Sequence, residues 1–440
     1  MGSSLAQRSR LRPEGRSRKR LEGYRAPTKP CPSPPSGSSP GRSPAKAAPP
    51  RPANGNPPSV PILSSPNPRT VFATRPAIPL RPRKPTDRRP GGLVPVETLI
   101  VIAAAVVFLF DFTNGFHDAS NMIATMIASR ALTPIQAVAL VSLFGFLGPL
   151  LGGTAVADTI GGFVDVDGLG RTLSLRVVLA GLGGAIAWNL VTWWRGLPSS
   201  SSHALVGSLV GAVLVSLGPP RIRWGIEALA RGELAGVAKI LASLLLSPAL
   251  GLALGLLVHK LARRLLARAR PGVNRILRKA QLPTAALLAF AHGTNDGQKS
   301  MGVLTLLLLV AGRLEHFEVP AWVVGLCATA MALGTAAGGW RIVKTVGYGI
   351  YRVRPLHALD SQLASGGVVL AAGLIGGPVS TTHVVTASIM GVGAAERPRA
   401  VRWGKAREIA ATWVVTLPGA ALLGALAERG AALAFWLSAG

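Results

Sequence analysis

Two aspartates and two runs of hydroxyl residues carry the chemistry available to this chain. Asp118 lies in DFTNGFHDASN (residues 111–121) and Asp296 in AFAHGTNDGQKS (residues 289–300). The hydroxyl runs are GLPSSSSH (196–203) and GGPVSTTH (376–383). All four sit in otherwise apolar text. An ionised carboxylate inside a membrane segment is costly unless paired or hydrated, so such residues usually line an ion or substrate path. Carboxylates and amide oxygens are hard ligands, suited to sodium, magnesium or a proton path. Asp118 and Asp296 are therefore the expected cation-coupling residues, with amide groups added by Asn114, Asn121 and Asn295. A histidine side chain in general titrates near neutral pH, so His117 either carries a coupling proton or fixes its neighbours by hydrogen bonding. Asp111 has no acidic counterpart, since Ala289 holds the aligned place. It reads either as a path residue or as a plain buried acid.

The hydroxyl runs are the anion side. In each, a proline (Pro198 or Pro378) can open a helix whose first turn then holds Ser200, Ser201 and Ser202, or Ser380, Thr381 and Thr382. A helix N-terminus presents unpaired N–H groups and partial positive charge, and hydroxyls add donors. Two such ends facing each other would clasp a tetrahedral oxyanion. The plainer alternative is N-capping. His203 and His383 either orient these segments or touch the anion. Lys299 balances Asp296, contacts the anion, or is a snorkelling structural lysine. Gly115 and Gly293, three residues before the acids, would permit helices broken at the motifs, freeing backbone groups for ions.

The elements that must position these residues are duplicated. Asp118 to Asp296 is an offset of 178, Pro198 to Pro378 of 180, and Arg223-Trp224-Gly225 to Arg402-Trp403-Gly404 of 179. From residue 93, apolar runs long enough to cross a bilayer (about 20 residues) recur to the C-terminus. With the shorter Gly- and Ser-rich runs near 199–218 and 379–394, about ten membrane elements are expected. The fold class is thus an all-α polytopic membrane protein. Small residues abound in the spans, as close helix packing favours.

Loop charge gives orientation. Residues 260–279 hold eight Lys and Arg and no acid, which places them in the cytoplasm. Residues 158–176, with three acids and two arginines, fall outside, and their counterpart 341–354, with four basic residues and no acid, falls inside. Opposite bias in the halves implies an inverted repeat with re-entrant hairpins. The expected organisation is repeat 1 over 93–259, a basic linker over 260–282, and repeat 2 over 283–440.

The 440 residues carry 47 Lys and Arg against 18 Asp and Glu, and residues 1–92 alone hold 19 of those cations, three acids and 21 of the 35 prolines. That composition buries too little apolar surface to order itself, so a basic, disordered tail is expected. Strict inversion would place it outside, against the positive-inside tendency. Either 93–129 crosses twice or the tail is not part of the working protein; a start near Val94 is the favoured expectation. No secretory signal is expected. Two cysteines, Cys31 and Cys327, support neither a disulfide framework nor a metal cluster. No cofactor, resident metal or nucleic-acid partner is expected. With no nucleotide loop and no nucleophile–base spacing, the chain does not read as an enzyme.

These motifs resemble those of the PiT family of inorganic phosphate transporters, and the GFHD and HGTNDGQK forms are most similar to its bacterial low-affinity members. The resemblance spans about residues 93–427. It implies a multi-pass carrier of the cell (inner) membrane, with a phosphate site near the midplane. It further implies coupling by proton, or by sodium in other members, and phosphate moving as a metal–phosphate complex. A homodimer is compatible with that plan. On the family pattern Asp118, Asp296, Asn121 and Asn295 serve cation and substrate, while Ser200, Ser201, Ser202, Ser380, Thr381 and Thr382 hold phosphate. Two departures stand out. Ser120 replaces a usual alanine, and Lys299-Ser300 replaces an expected Ala-Asn, making the half-sites unequal. Import of phosphate with a proton is the favoured reading; a sodium-coupled phosphate permease or a sulfate permease is the alternative. A non-transporting scaffold is disfavoured, because it gains nothing from buried acids.

Overall fold

The computed structural model describes residues 95–166 and 168–439; the expectations for residues 1–92 lie outside them. The described residues are helical almost throughout: α1 (Val96–Ala128), α2 (Pro134–Leu151), α3 (Ala155–Gly161), α4 (Arg171–Arg195), α5 (Ser201–Ser216), α6 (Ile226–Ala230), α7 (Gly236–Leu265), α8 (Val273–Val310), α9 (Ala321–Ala337), α10 (Trp340–Lys344), α11 (Pro355–Leu374), α12 (Thr381–Glu396) and α13 (Trp403–Ala439). Setting aside the short α3, α6 and α10, ten long elements remain, close to the runs read from hydropathy. The basic stretch 260–279 is mostly helical, since α7 and α8 extend into it from both sides.

Local chemistry fixes many boundaries. Thr133 caps α2 in a reciprocal capping box with Gln136, and Pro134 supplies the first helical position. α4 ends at Gly196, in the left-handed region at φ 67°. Gly376, its partner in the second half, has the same φ of 67°. A side chain at either would be strained, so these glycines turn the chain into the two hydroxyl runs. The third repeated motif is matched in detail as well: Trp224 Nε1 donates to the Pro219 carbonyl at 3.0 Å, and Trp403 Nε1 to that of Pro398 at 3.0 Å.

Among the described residues, α1, α2, α4, α7 and α13 are each long and apolar enough to cross a membrane, and the bent pair α9–α10 makes a sixth candidate. α5 and α12 have 16 residues each. At 1.5 Å per residue they reach about 24 Å, short of a 30 Å hydrocarbon core. Large apolar side chains stand outward along α7 and α13, Leu245, Leu246, Val414 and Val415 among them. A surface of that kind is matched to lipid.

The expected breaks at Gly115 and Gly293 do not occur. α1 and α8 run unbroken through both motifs. These glycines serve close helix contact instead. A Cβ on Gly115 would meet the Met331 carbonyl oxygen at 2.3 Å, and one on Gly293 that of Gly145 at 2.3 Å. The neighbours reciprocate: a Cβ on Gly334 would strike the Phe112 carbonyl oxygen, and one on Gly148 that of Phe290. Among the described residues, the candidate span that is broken is α9–α10, bent by 59° after Ala337.

Candidate functional site

The two motif helices and the two short helices converge. α1 brings His117, Asp118 and Asn121; α8 brings His292, Asn295, Asp296 and Lys299; α5 and α12 point their N-termini at both. Asp118 and Asp296 are each 1% exposed, so neither draws on bulk water for its charge.

Asp118 is held from three directions. Ser201 Oγ donates to its Oδ2 at 3.1 Å. Thr382 Oγ1 donates to its Oδ1 at 3.2 Å. His117 Nδ1 lies 2.8 Å from the same Oδ1. Hydroxyls from both hydroxyl runs therefore meet on one carboxylate. On its other side His117 meets two buried hydroxyls: its Nε2 is 3.3 Å from Thr192 Oγ1 and 3.3 Å from Ser199 Oγ. Asn121 Nδ2 donates to Thr382 Oγ1 at 2.9 Å, while its Oδ1 is buried without a partner.

Asp296 has a different surround. Lys299 Nζ donates to its Oδ1, to Ser202 Oγ, and to the Val379 carbonyl at 2.7 Å. Thr381 Oγ1 donates to Oδ2 at 3.4 Å. His292 Nδ1 is 3.0 Å from Oδ2, with its ring off the line of a hydrogen bond. Ligand atoms of Asp118, His292 and Asp296 all lie within 4.8 Å of one another, a spacing that can hold a cation. His292, four residues before Asp296 and on the same helix face, was missed by the sequence reading. The HxxxD spacing in HGTND could have found it. Thr192, in apolar text, offered no such signal.

Not every residue expected at the anion site faces it. Ser200 and Ser380 cap their helices, accepting from the backbone N–H of His203 at 3.2 Å and of His383 at 3.3 Å. Both hydroxyls thus cap their helices; Ser201, Thr381 and Thr382 donate to the acids, while Ser202 donates to the Val379 carbonyl at 3.3 Å and accepts from Lys299. Asn295 donates through Nδ2 to the Gly377 carbonyl at 3.0 Å and so braces the second hydroxyl run, with its Oδ1 buried and unpartnered. Asn114 is buried near the motif with its Oδ1 unpartnered. His203 and His383 stack on one another at 4.6 Å between ring centroids, and Trp413 covers His383 at 4.1 Å. That sandwich links the starts of α5 and α12 and fits the orienting role. Asp111 accepts from Ser300, which settles its pairing away from the hydroxyl runs. Ser300 thus supplies the partner for the acid without a counterpart.

The first-turn N–H groups of α5 and α12, at residues 201–202 and 381–382, have no acceptor within their own helices. With the hydroxyls they form a donor lining beside paired carboxylates. Helices of bilayer length thus enclose paired, buried carboxylates beside unspent helix-end donors, a polar centre inside a helical membrane protein. The chain belongs to the Phosphate transporter family, whose pattern matches residues 114–424. It is similar to a probable low-affinity inorganic phosphate transporter of Bacillus subtilis (strain 168), 40% identical over 334 residues, which are 76% of this chain and 96% of that protein. A protein of the same description from Rhizobium meliloti (strain 1021) is 43% identical over 333 residues, 74% of this chain and 95% of the other. A solved structure, the sodium-dependent phosphate transporter, superposes with a TM-score of 0.67 at 24% identity, covering 76% of this chain and 99% of that one. At that identity the likeness speaks for the fold, a polytopic all-α membrane fold.

Proposed function

We propose that this protein is a secondary carrier that imports inorganic phosphate together with a cation, the proton being the coupling ion. One observation supports this most: Asp118 receives Ser201 from one hydroxyl run and Thr382 from the other. An anion entering between those helix ends displaces hydroxyls from a carboxylate. It can do so only once that carboxylate is neutralised, because two like charges cannot share a buried site. Coupling of cation to anion follows from that exclusion. His117 lies against Asp118 and reaches Ser199 and Thr192, which gives a proton a route to the acid. Phosphate near pH 7 still holds a proton that a carboxylate can accept, and sulfate does not, so paired acids favour phosphate. The duplicated elements would then work as an inverted repeat, one half rocking against the other around the site.

A second reading is sodium coupling. The unpartnered Asn121 Oδ1 beside Asp118 favours it, as hard oxygens suit that ion. The group of Asp118, His292 and Asp296 is compatible with a divalent metal arriving with the phosphate as cargo. Radiolabelled phosphate uptake into proteoliposomes separates the readings. Uptake should follow an imposed pH gradient in sodium-free buffer, and excess sulfate should not compete. A sodium requirement with no response to the pH gradient would overturn the proton but keep phosphate. Inhibition by sulfate equal to that by unlabelled phosphate would overturn the substrate.

A further inference from the structure

We infer that the ammonium of Lys299 is a tethered cation, permanently filling one of two matched cation seats, so that a single seat, at Asp118 and Asn121, is left for a mobile cation. The inference rests on the phosphate reading above and specifies its coupling.

The two seats correspond residue by residue. Asn121 follows Asp118 by three positions and Lys299 follows Asp296 by three, so on the offset of the two acids it is Lys299, and not Ser300, that stands opposite Asn121. Each reaches across to the other half: Asn121 Nδ2 donates to Thr382, and Lys299 Nζ donates to Ser202. Ser202 and Thr382 are themselves counterparts. Around Lys299 Nζ stand a carboxylate, a hydroxyl and a backbone carbonyl. That is a hard-oxygen set of the kind that binds an alkali cation. An ammonium group has three N–H donors, and all three find acceptors. A structural lysine would extend its charge toward the membrane surface. Lys299 is 3% exposed and directs its charge into the centre. The matching seat in the first half has the oxygens without the ammonium: Asp118, Thr382 Oγ1 and the buried, unpartnered Asn121 Oδ1. With histidines neutral, Asp118, Asp296 and Lys299 sum to one negative charge. One mobile cation balances it; without the lysine, two would be needed.

The test is phosphate binding to purified full-length protein, with sodium replaced by a bulky organic cation that cannot enter. The variants are Lys299→Ala and Lys299→Asn, the latter copying Asn121. Removing one partner of a buried ion pair is strongly destabilising, so phosphate affinity in the alanine variant should fall by at least about 100-fold without small cations. Sodium or methylammonium should restore it. The sodium dependence of both variants should be one cation steeper than that of the wild type, whatever the wild type's own requirement. Equal affinity of wild type and Lys299→Ala without sodium would overturn the inference. So would variants that give an intact melting transition but that no small cation restores. If Lys299→Ala fails to fold, Lys299→Gln, which keeps the length and loses the charge, carries the same outcomes. If the wild type itself binds no phosphate, the substrate reading has failed and this inference falls with it, which is a separate result.

Discussion

Replacing Asp118 by asparagine tests how cation and anion are linked. The side chain keeps its shape and loses its charge. Ser201 and Thr382 lose charge-assisted hydrogen bonds, each worth about 1.5–3 kcal/mol to a charged acceptor. Part of this is recovered, since Ser201 can rotate to accept from the new amide. Thr382 cannot rotate as freely, because it already accepts from Asn121. The variant should therefore fold with a modestly lowered melting temperature. The transport consequence is larger. Asp296 and Lys299 then balance, the centre is neutral, and an anion needs no accompanying cation. With the membrane potential clamped at zero, one coupled proton lets the wild type concentrate the transported phosphate species about tenfold per unit of pH gradient, because one pH unit is worth about 1.4 kcal/mol per proton. Asp118→Asn should show an accumulation ratio of one while retaining phosphate exchange across the membrane. Proteoliposomes with internal phosphate and an imposed pH step measure both. A variant that still concentrates phosphate tenfold per unit would refute the assignment of Asp118 as the coupling group.

Asp296→Asn should reduce gradient-driven uptake less than Asp118→Asn, because it removes the acid already paired with Lys299 and keeps Asp118, the carboxylate of the open seat; the reverse order in the same assay would contradict the unequal seats. The double variant Ser201→Ala with Thr381→Ala should weaken phosphate binding by about 1–3 kcal/mol per buried hydrogen bond lost, and unchanged affinity by calorimetry would remove these hydroxyls from the site. Arg176 pairs with the buried Glu428 at 2.7 Å and ties α4 to α13. Arg176→Ala should cost about 3 kcal/mol, discounted for the partial exposure of the arginine, and an unshifted melting temperature would show that the pair contributes nothing. A chain begun at Leu93 should insert and take up phosphate as the full one does; loss of uptake would mean that residues 1–92 take part.

The sequence by itself determined the membrane class, the duplication and the identity of the charged pair. Those features are written in local chemistry: apolar runs of bilayer length, a polar motif that recurs at a fixed offset, and acids that apolar text cannot tolerate without a purpose. It likewise marked the starts of α5 and α12, because proline, serine and threonine at a helix entrance act within one turn. Tertiary structure decided the rest. The roles of Gly115 and Gly293 depended on what stands opposite them. A glycine that permits a break and a glycine that permits contact are the same letter, and only the carbonyls of Met331 and Gly145 distinguish them. The division of labour within PSSSSH and PVSTTH was decided by helix phase, which turned Ser200 and Ser380 back onto their own backbone and left their neighbours facing the acids. Asp111 and Ser300 are 189 residues apart, and His292 lies close to Asp118 from another helix. Contacts between distant segments are set by packing, where close approach of small residues brings helices together, and no local spacing encodes them. Lys299 joins both levels. Its departure from the family pattern was legible as one letter, but the three oxygens that make its ammonium a cation in a seat come from α8, α5 and the segment leading into α12.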